Sequence, residues 1–430
     1  MSKTIYRGGL LLDPTNGSES NRQIIVDGRT VATVLPADAD QSAEPGSTVV
    51  DLDGQWLCPG LVDLSCALRE PGYEQNETIA TGLAAAAKGG LTAVCASPET
   101  LPVVDNAAVV TQVKERAAGV AGARLIPIGA ATHRLKGDAL AAYGELKASG
   151  CPAVTQGTSA IASANMMRRV LEYAKAFDVV VFHQALEPTM SGICDEGPWS
   201  TRLGLPATPA QAESIAIERD VALAELTKAR LHLTRISTAR GLDTVRRAKA
   251  KGIRVTCDVT INHLHLQASN LHTYDSNYKV WPPLRSERDV AALREGLADG
   301  TIDAIVSDHR PVHEQDKALE FMEAEHGISS LETLVSLTLS LVESGVISRL
   351  RAIDLLSTGP RRVLGLDVND LTPGKVADMT IIDPVLNWTL DASSMLSKGK
   401  NSPYVGRAFL GGAARTIVAG ETVYQARTEG

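Results

Sequence analysis

Along the first 57 residues, apolar positions occur in short β-type runs: Thr4 to Tyr6, Gly9 to Leu12, Gln23 to Val26, Val31 to Val34 and Thr48 to Leu52. Turn pairs such as Asp13-Pro14 and Asn16-Gly17 separate them, and no helical periodicity intervenes. The spacing predicts part of a small β-sandwich over 1–57. Matching short runs return at the other end, Ala377 to Ile382, Ala408 to Leu410, Arg415 to Val418 and Glu421 to Tyr424, so residues 364–430 are expected to complete one discontinuous domain.

Between them, over 58–363, the pattern changes to apolar strand-like runs alternating with helical stretches. Leu61 to Leu64, Leu91 to Cys95, Ala123 to Ile128, Val179 to Phe182, Arg230 to Ile236, Gly252 to Val259 and Ala304 to Ser307 read as strands. Thr78 to Lys88, Ala107 to Ala117, Ala164 to Ala176, Pro209 to Lys228, Gly241 to Lys251 and Glu287 to Leu297 read as helices, Pro209 to Lys228 as a solvated outer one. Such alternation predicts βα units around a parallel barrel, which takes roughly 250 residues. The expected fold class is α/β, a (β/α)8 barrel with a β-sandwich formed by both termini. In a barrel of this kind, chemistry belongs at the C-terminal ends of the strands.

Composition narrows the function classes. With 430 residues, 44% hydrophobic, the chain is an ordinary globular one; 42 basic against 50 acidic side chains, net charge -8 without long charge runs, give a nucleic-acid partner no electrostatic support. The start, MSKTIYRGGLLLDP, lacks the apolar core of a signal peptide, and no window approaches the roughly 18 apolar residues of a membrane span. A cytoplasmic protein without a membrane role is expected. Six scattered cysteines form no Cys-x-x-Cys pair; Cys66, between two inward-facing positions, is expected to pack rather than act as a nucleophile.

The stretch Cys58 to Pro71, CPGLVDLSCALREP, resembles the first barrel strand of the amidohydrolase superfamily, in its dihydroorotase branch. ETIATGLAAAAKGGLTAV, LPVVDN, VWPPLRSERDVAALREGLADGTIDAIVSDHRP, GISSLET and LTPGKVADMTIID carry the likeness, in order, over nearly the whole chain. The resemblance implies an amidohydrolase-type barrel and zinc held by Asp-x-His-x-His, an acidic motif after the third strand, two further histidines and a last aspartate that also serves as acid/base.

This chain departs from that pattern position by position. Asp63 and Arg69 stand where the family has them, but the histidine positions hold Ser65 and Ala67; the acidic motif reads Val154-Thr155-Gln156-Gly157-Thr158, and the later histidine is Arg235. His183 and Asp308 remain. Ala67 has no donor atom and a guanidinium repels zinc, so no metal is expected. Two ligands cannot form the three-ligand site that lowers a water's pKa to about 7. Among the family's substrate contacts Arg69 survives as the position for an anion, while the others read Glu99, Trp281 and Val312. Bland roles stand beside the sharp ones: His183 hydrogen-bonded in the core, Asp308 as an acid/base position reduced to an ion pair with Arg235 or Arg69, and His263 and His265 of INHLHL in packing rather than metal binding.

Three readings follow. The first is a non-catalytic dihydroorotase-like protein which, as the resemblance implies for such paralogues, assembles with the catalytic subunit of aspartate transcarbamoylase in pyrimidine biosynthesis. The second is an active zinc dihydroorotase with divergent ligands, closing N-carbamoyl-L-aspartate to dihydroorotate. The third is another cyclic-amide hydrolase working through Asp308 and His183. Analogy with barrel enzymes of this family implies a homodimer.

Overall fold

The computed structural model describes residues 3–39, 46–368 and 370–426. Strands β1 (Lys3–Asp13), β2 (Ser18–Asp27), β3 (Thr30–Pro36), β4 (Thr48–Asp51) and β5 (Trp56–Pro59) open the chain. The barrel strands follow as β6 (Leu61–Cys66), β7 (Leu91–Ala96), β8 (Arg124–Pro127), β9 (Gly129–Ala130), β10 (Ala153–Thr155) and β11 (Val180–His183). A small accessory pair is β12 (Cys194–Asp195) and β13 (Ala207–Thr208). β14 (Leu231–Leu233), β15 (Val255–Thr260) and β16 (Ala304–Val306) finish the barrel; β17 (Met379–Thr389), β18 (Ala408–Val418) and β19 (Glu421–Gln425) finish the chain.

Both termini meet in one sheet, ordered β19-β18-β17-β5-β1-β2-β3, with β4 also on β1. β1 runs through two of the predicted segments as one strand with an irregularity between Tyr6 and Gly9, and the two halves of its free edge take different partners. The bulge is what divides the edge: Thr4 to Arg7 pairs β4, while Leu10 and Leu11 pair β5. β5, which the sequence pattern does not resolve, spans the expected boundary at 57/58 and joins β1 to β17. The enclosed core holds Tyr6, Leu11, Ile24, Leu57, Met379 and Ile417.

The barrel is parallel throughout. β6, β7 and β8 pair in order, and β9, β10, β11, β14, β15 and β16 continue it, β8 and β9 being one strand interrupted at Ile128. Closure between β16 and β6 comes from Ala67 N–H donating to His309 O at 2.8 Å and His309 N–H to Ser65 O at 3.2 Å. Asp63 adds a side-chain tie, accepting from Ser307 N–H at 2.9 Å and Ser307 Oγ at 2.5 Å. Inside the barrel Leu64, Cys95, Ala153, Val180, Phe182 and Val306 fill the cross-section, each large aliphatic side chain there contributing roughly 1.5–3 kcal/mol by leaving water.

Helices begin where side-chain caps begin them. Thr78, Asn106, Ser163, Thr238 and Ser286 each accept from a first-turn N–H, which places the helices Ile79–Lys88, Ala107–Ala117, Ala164–Ala176, Ala239–Ala250 and Glu287–Ala298 close to their predicted positions. The helix Ala210–Thr227 differs from its expected solvated character: Glu213 and Asp220 are buried on its inner face. No helix among the described residues is long and apolar enough to cross a membrane.

Candidate functional site

At the C-terminal mouth of the barrel, three non-glycine residues two or three positions beyond their strands turn into the left-handed region: Arg69 (φ 62°), Arg235 (φ 58°) and Asp308 (φ 46°). Such backbone costs about 1–3 kcal/mol per residue and persists only where the surroundings hold it. Here the surroundings are polar and charged.

Asp308 is the hub. Its Oδ1 accepts from Arg235 Nη1 at 3.0 Å, Arg310 Nε at 3.2 Å and Ser65 Oγ at 3.1 Å. Burial pushes its carboxyl up, but the guanidiniums of Arg235 and Arg310 outweigh burial and hold it below the usual carboxylate range. Arg235 reaches on from Nη2 to Gly157 O at 3.0 Å, and Arg310 from Nη2 to Glu99 Oε2 at 3.1 Å. Glu99 also accepts from Thr158 N–H at 2.9 Å and Ser97 Oγ at 2.8 Å. Its carboxyl too lies below the ordinary range: burial opposes the shift, and Arg310 and Thr158 overcome it. Glu99 is thus fixed by internal partners.

Arg69 does not pair with Asp308. Its Nε donates to Pro311 O at 3.2 Å, and burial together with neighbouring Arg310 lowers its pKa. Arg310, which sequence reading passed over inside the Asp-His-Arg-Pro run, supplies the second bond to Asp308. Its signal lay in Glu99: a buried carboxylate demands a cation.

The remaining family positions are committed elsewhere. His183 Nδ1 lies 2.6 Å from Asp220 Oδ2, and its Nε2 accepts from Ile161 N–H at 3.2 Å, so both ring nitrogens are engaged. In sequence the helix carrying Asp220 reads as solvated; the i+3/i+4 spacing Glu213, Ile217, Asp220, Val221, Ala224 is what marks its buried face. Gln156 follows β10, a strand absent from the predicted set, and so ends the fourth barrel strand rather than the third. Its amide donates to Leu135 O at 2.7 Å and accepts from Thr132 Oγ1 at 2.8 Å. Ala67 is buried and offers only its backbone to the closure.

His263 and His265 lie on a helix, Ile261–His265, where i,i+2 residues diverge, instead of on a strand where they would share a face. His263 bonds Thr260 Oγ1 at 2.7 Å and Pro282 O at 3.1 Å; His265 bonds Leu337 O at 3.0 Å. Burial lowers both to about 4, leaving them neutral. Cys66 is buried with its thiol pushed well up by burial, which disfavours the thiolate a nucleophile needs. Trp281 stacks edge-on against His326, centroids 5.9 Å apart, and Val312 N–H donates to Asn401 Oδ1 at 2.9 Å.

The cavity between Ser65, Thr155, Thr234, Arg235 and Arg310 measures about 30 Å³. Small-molecule sites run roughly 300–1,000 Å³, so this one has room for water-sized occupants and not for a cyclic amide. Nor do the residues fit zinc. At the family's ligand positions stand a hydroxyl, a methyl, an amide turned away, a doubly engaged imidazole, a guanidinium and a carboxylate bonded to two guanidiniums. Among the described residues no three His, Cys, Asp or Glu side chains are grouped to hold a metal.

Comparison with known proteins agrees with the fold and sharpens the contrast. Residues 54–240 match the family described as Dihydro-orotase-like. A protein named Dihydroorotase from Anaeromyxobacter dehalogenans (strain 2CP-C) is 43% identical, with 99% of each chain covered. Another so named, from Geobacter metallireducens, is 41% identical over 98% of this chain and 99% of the relative. In three dimensions the chain is similar to the L-hydantoinase (dihydropyrimidinase) from Arthrobacter aurescens, with TM-score 0.88, 22% identity and coverage of 99% and 96%. A D-hydantoinase gives TM-score 0.84 at 20% identity, covering 98% and 95%. These structural likenesses establish the amidohydrolase-type barrel with its β-sandwich.

Proposed function

The chain belongs to the dihydroorotase family of amidohydrolases, and from that membership we propose that it is a non-catalytic member, retaining the frame without the hydrolytic centre. The observation that carries the reading is the Arg235 to Asp308 contact of 3.0 Å. A guanidinium bonds Oδ1 of the carboxylate that the family uses toward metal and substrate, and it brings positive charge where a divalent cation would have to enter. The small cavity supports the same conclusion, since a substrate needs about ten times its volume.

For such a protein the role is structural: a partner of the aspartate transcarbamoylase catalytic subunit in pyrimidine biosynthesis, itself paired as a homodimer. Support for this part is the family resemblance and the pattern of an intact fold around an altered site.

A second reading has its own observation. Full-length relatives at 41% and 43% identity are named Dihydroorotase, which favours dihydroorotase activity in this chain as well. One pair of assays separates the two. Purified chain is incubated with dihydroorotate and with N-carbamoyl-L-aspartate in zinc-supplemented buffer, and separately mixed with the transcarbamoylase catalytic subunit of the same cell. Absence of turnover with a co-migrating complex is expected; chelator-sensitive turnover selects the second reading, and a chain that stays alone by light scattering removes the partner.

A further inference from the structure

The small cavity at the barrel mouth has a one-sided wall. Its charged lining residues are Arg235 and Arg310, and its hydroxyls come from Ser65, Ser97, Thr155 and Thr234; among the described residues no carboxylate lines it. Asp308 and Glu99 neutralise the guanidiniums from outside that wall. Two polar atoms on lining residues find no hydrogen-bond partner among the described residues: Arg235 Nε and Thr234 Oγ1. Both residues are more than nine-tenths buried, Arg235 at 4% exposure and Thr234 at 8%. Thr155 Oγ1 accepts from Gly157 N–H at 3.1 Å and keeps its own proton to give.

A buried guanidinium N–H left unpaired is costly, so something is expected to meet it. The volume of about 30 Å³ admits one or two water-sized bodies. Waters there would turn their oxygens to the guanidiniums and leave their protons to the hydroxyls and to the Gly157 carbonyl, which already accepts from Arg235 Nη2. A monovalent anion has no protons to place and gains from every donor.

We propose that this cavity is a site for a halide-sized monovalent anion, held between Arg235 Nε, Thr234 Oγ1 and the Arg310 guanidinium. The inference concerns binding alone and stands whether or not the chain turns over a substrate.

Bromide is the probe. The full-length protein is crystallised and soaked in bromide for anomalous scattering, and its melting temperature is followed as bromide replaces gluconate at constant ionic strength. An anomalous peak inside the cavity and a saturable rise in melting temperature are expected. Thr234→Val, which keeps the shape and removes the hydroxyl, is expected to weaken bromide about tenfold. A cavity without a bromide peak overturns the proposal, as does a halide response that Thr234→Val leaves unchanged. Should Thr234→Val not fold, the wild-type anomalous map decides alone.

Discussion

Arg235 and Asp308 leave their barrel strands in the same left-handed turn and meet at 3.0 Å, Nη1 to Oδ1, with both side chains buried. The pair is half of a neutral network of two guanidiniums and two carboxylates: Arg310 also bonds Asp308 and is itself bonded to Glu99. Breaking one member of a buried pair leaves a desolvated charge, whereas removing both relieves it. Arg235→Met is therefore expected to destabilise the protein by about 3 kcal/mol. Arg235→Met with Asp308→Asn should cost less than the two single changes together, a coupling of about 1 kcal/mol or more. Urea titration of the four proteins checks this; additive losses would show that the contact carries no coupling.

His183 is expected to behave as part of the core. Asp220, fully buried, fixes its Nδ1 at 2.6 Å and is itself bonded by Arg219 Nε at 2.9 Å. Asp220→Ala strands both partners, so a loss of about 3 kcal/mol is expected in chemical denaturation. Bound metal, measured by elemental analysis, should not differ between Asp220→Ala and wild type.

Gly157 holds the mouth by having no side chain. Its φ is 68°, and a Cβ built on it would lie 2.5 Å from Glu99 Cδ. Gly157→Ala combines an unfavourable backbone with a clash against a residue that Arg310 and Thr158 hold in place. The expected cost exceeds about 1 kcal/mol, visible as a lowered melting temperature.

Asp63 gives a pH signature. Burial raises its carboxyl to about 7, with Ser307 acting in the opposite direction. Between the ordinary carboxylate value and about 7 the native state holds a proton that the unfolded chain has lost. The stability from this group is therefore full below that window and falls as pH rises through it, by at most about 1.4 kcal/mol per pH unit. Asp63→Asn has no such proton, so the stability difference between variant and wild type should shift in the variant's favour from pH 4 to pH 7. A difference that is flat with pH would contradict the assignment.

Much of the architecture was legible because burial writes a period into the chain. β6 and β7 are apolar runs, and the helices around the barrel begin at cap residues. β10 was not legible: three residues, Ala153 to Thr155, are too short to carry a period. Without that strand, its neighbour Gln156 reads as following the third barrel strand instead of the fourth. The exchanged ligand positions were visible as residue types, but where their replacements turn was not. Arg310, Asp220 and Ile161 reach the site from a loop, an outer helix and a backbone N–H, and such long-range meetings leave no local pattern. His263 and His265, two positions apart, would share a face only on a strand, and they lie on a helix.

Equilibrium dialysis of the purified chain against zinc, read by elemental analysis and repeated for Arg235→His, tests the replacement of metal by guanidinium most directly. The native chain is expected to retain no stoichiometric zinc at micromolar free metal. Tightly held zinc at one or two ions per chain in the native protein, lost with its dihydroorotate turnover on chelation, would contradict it.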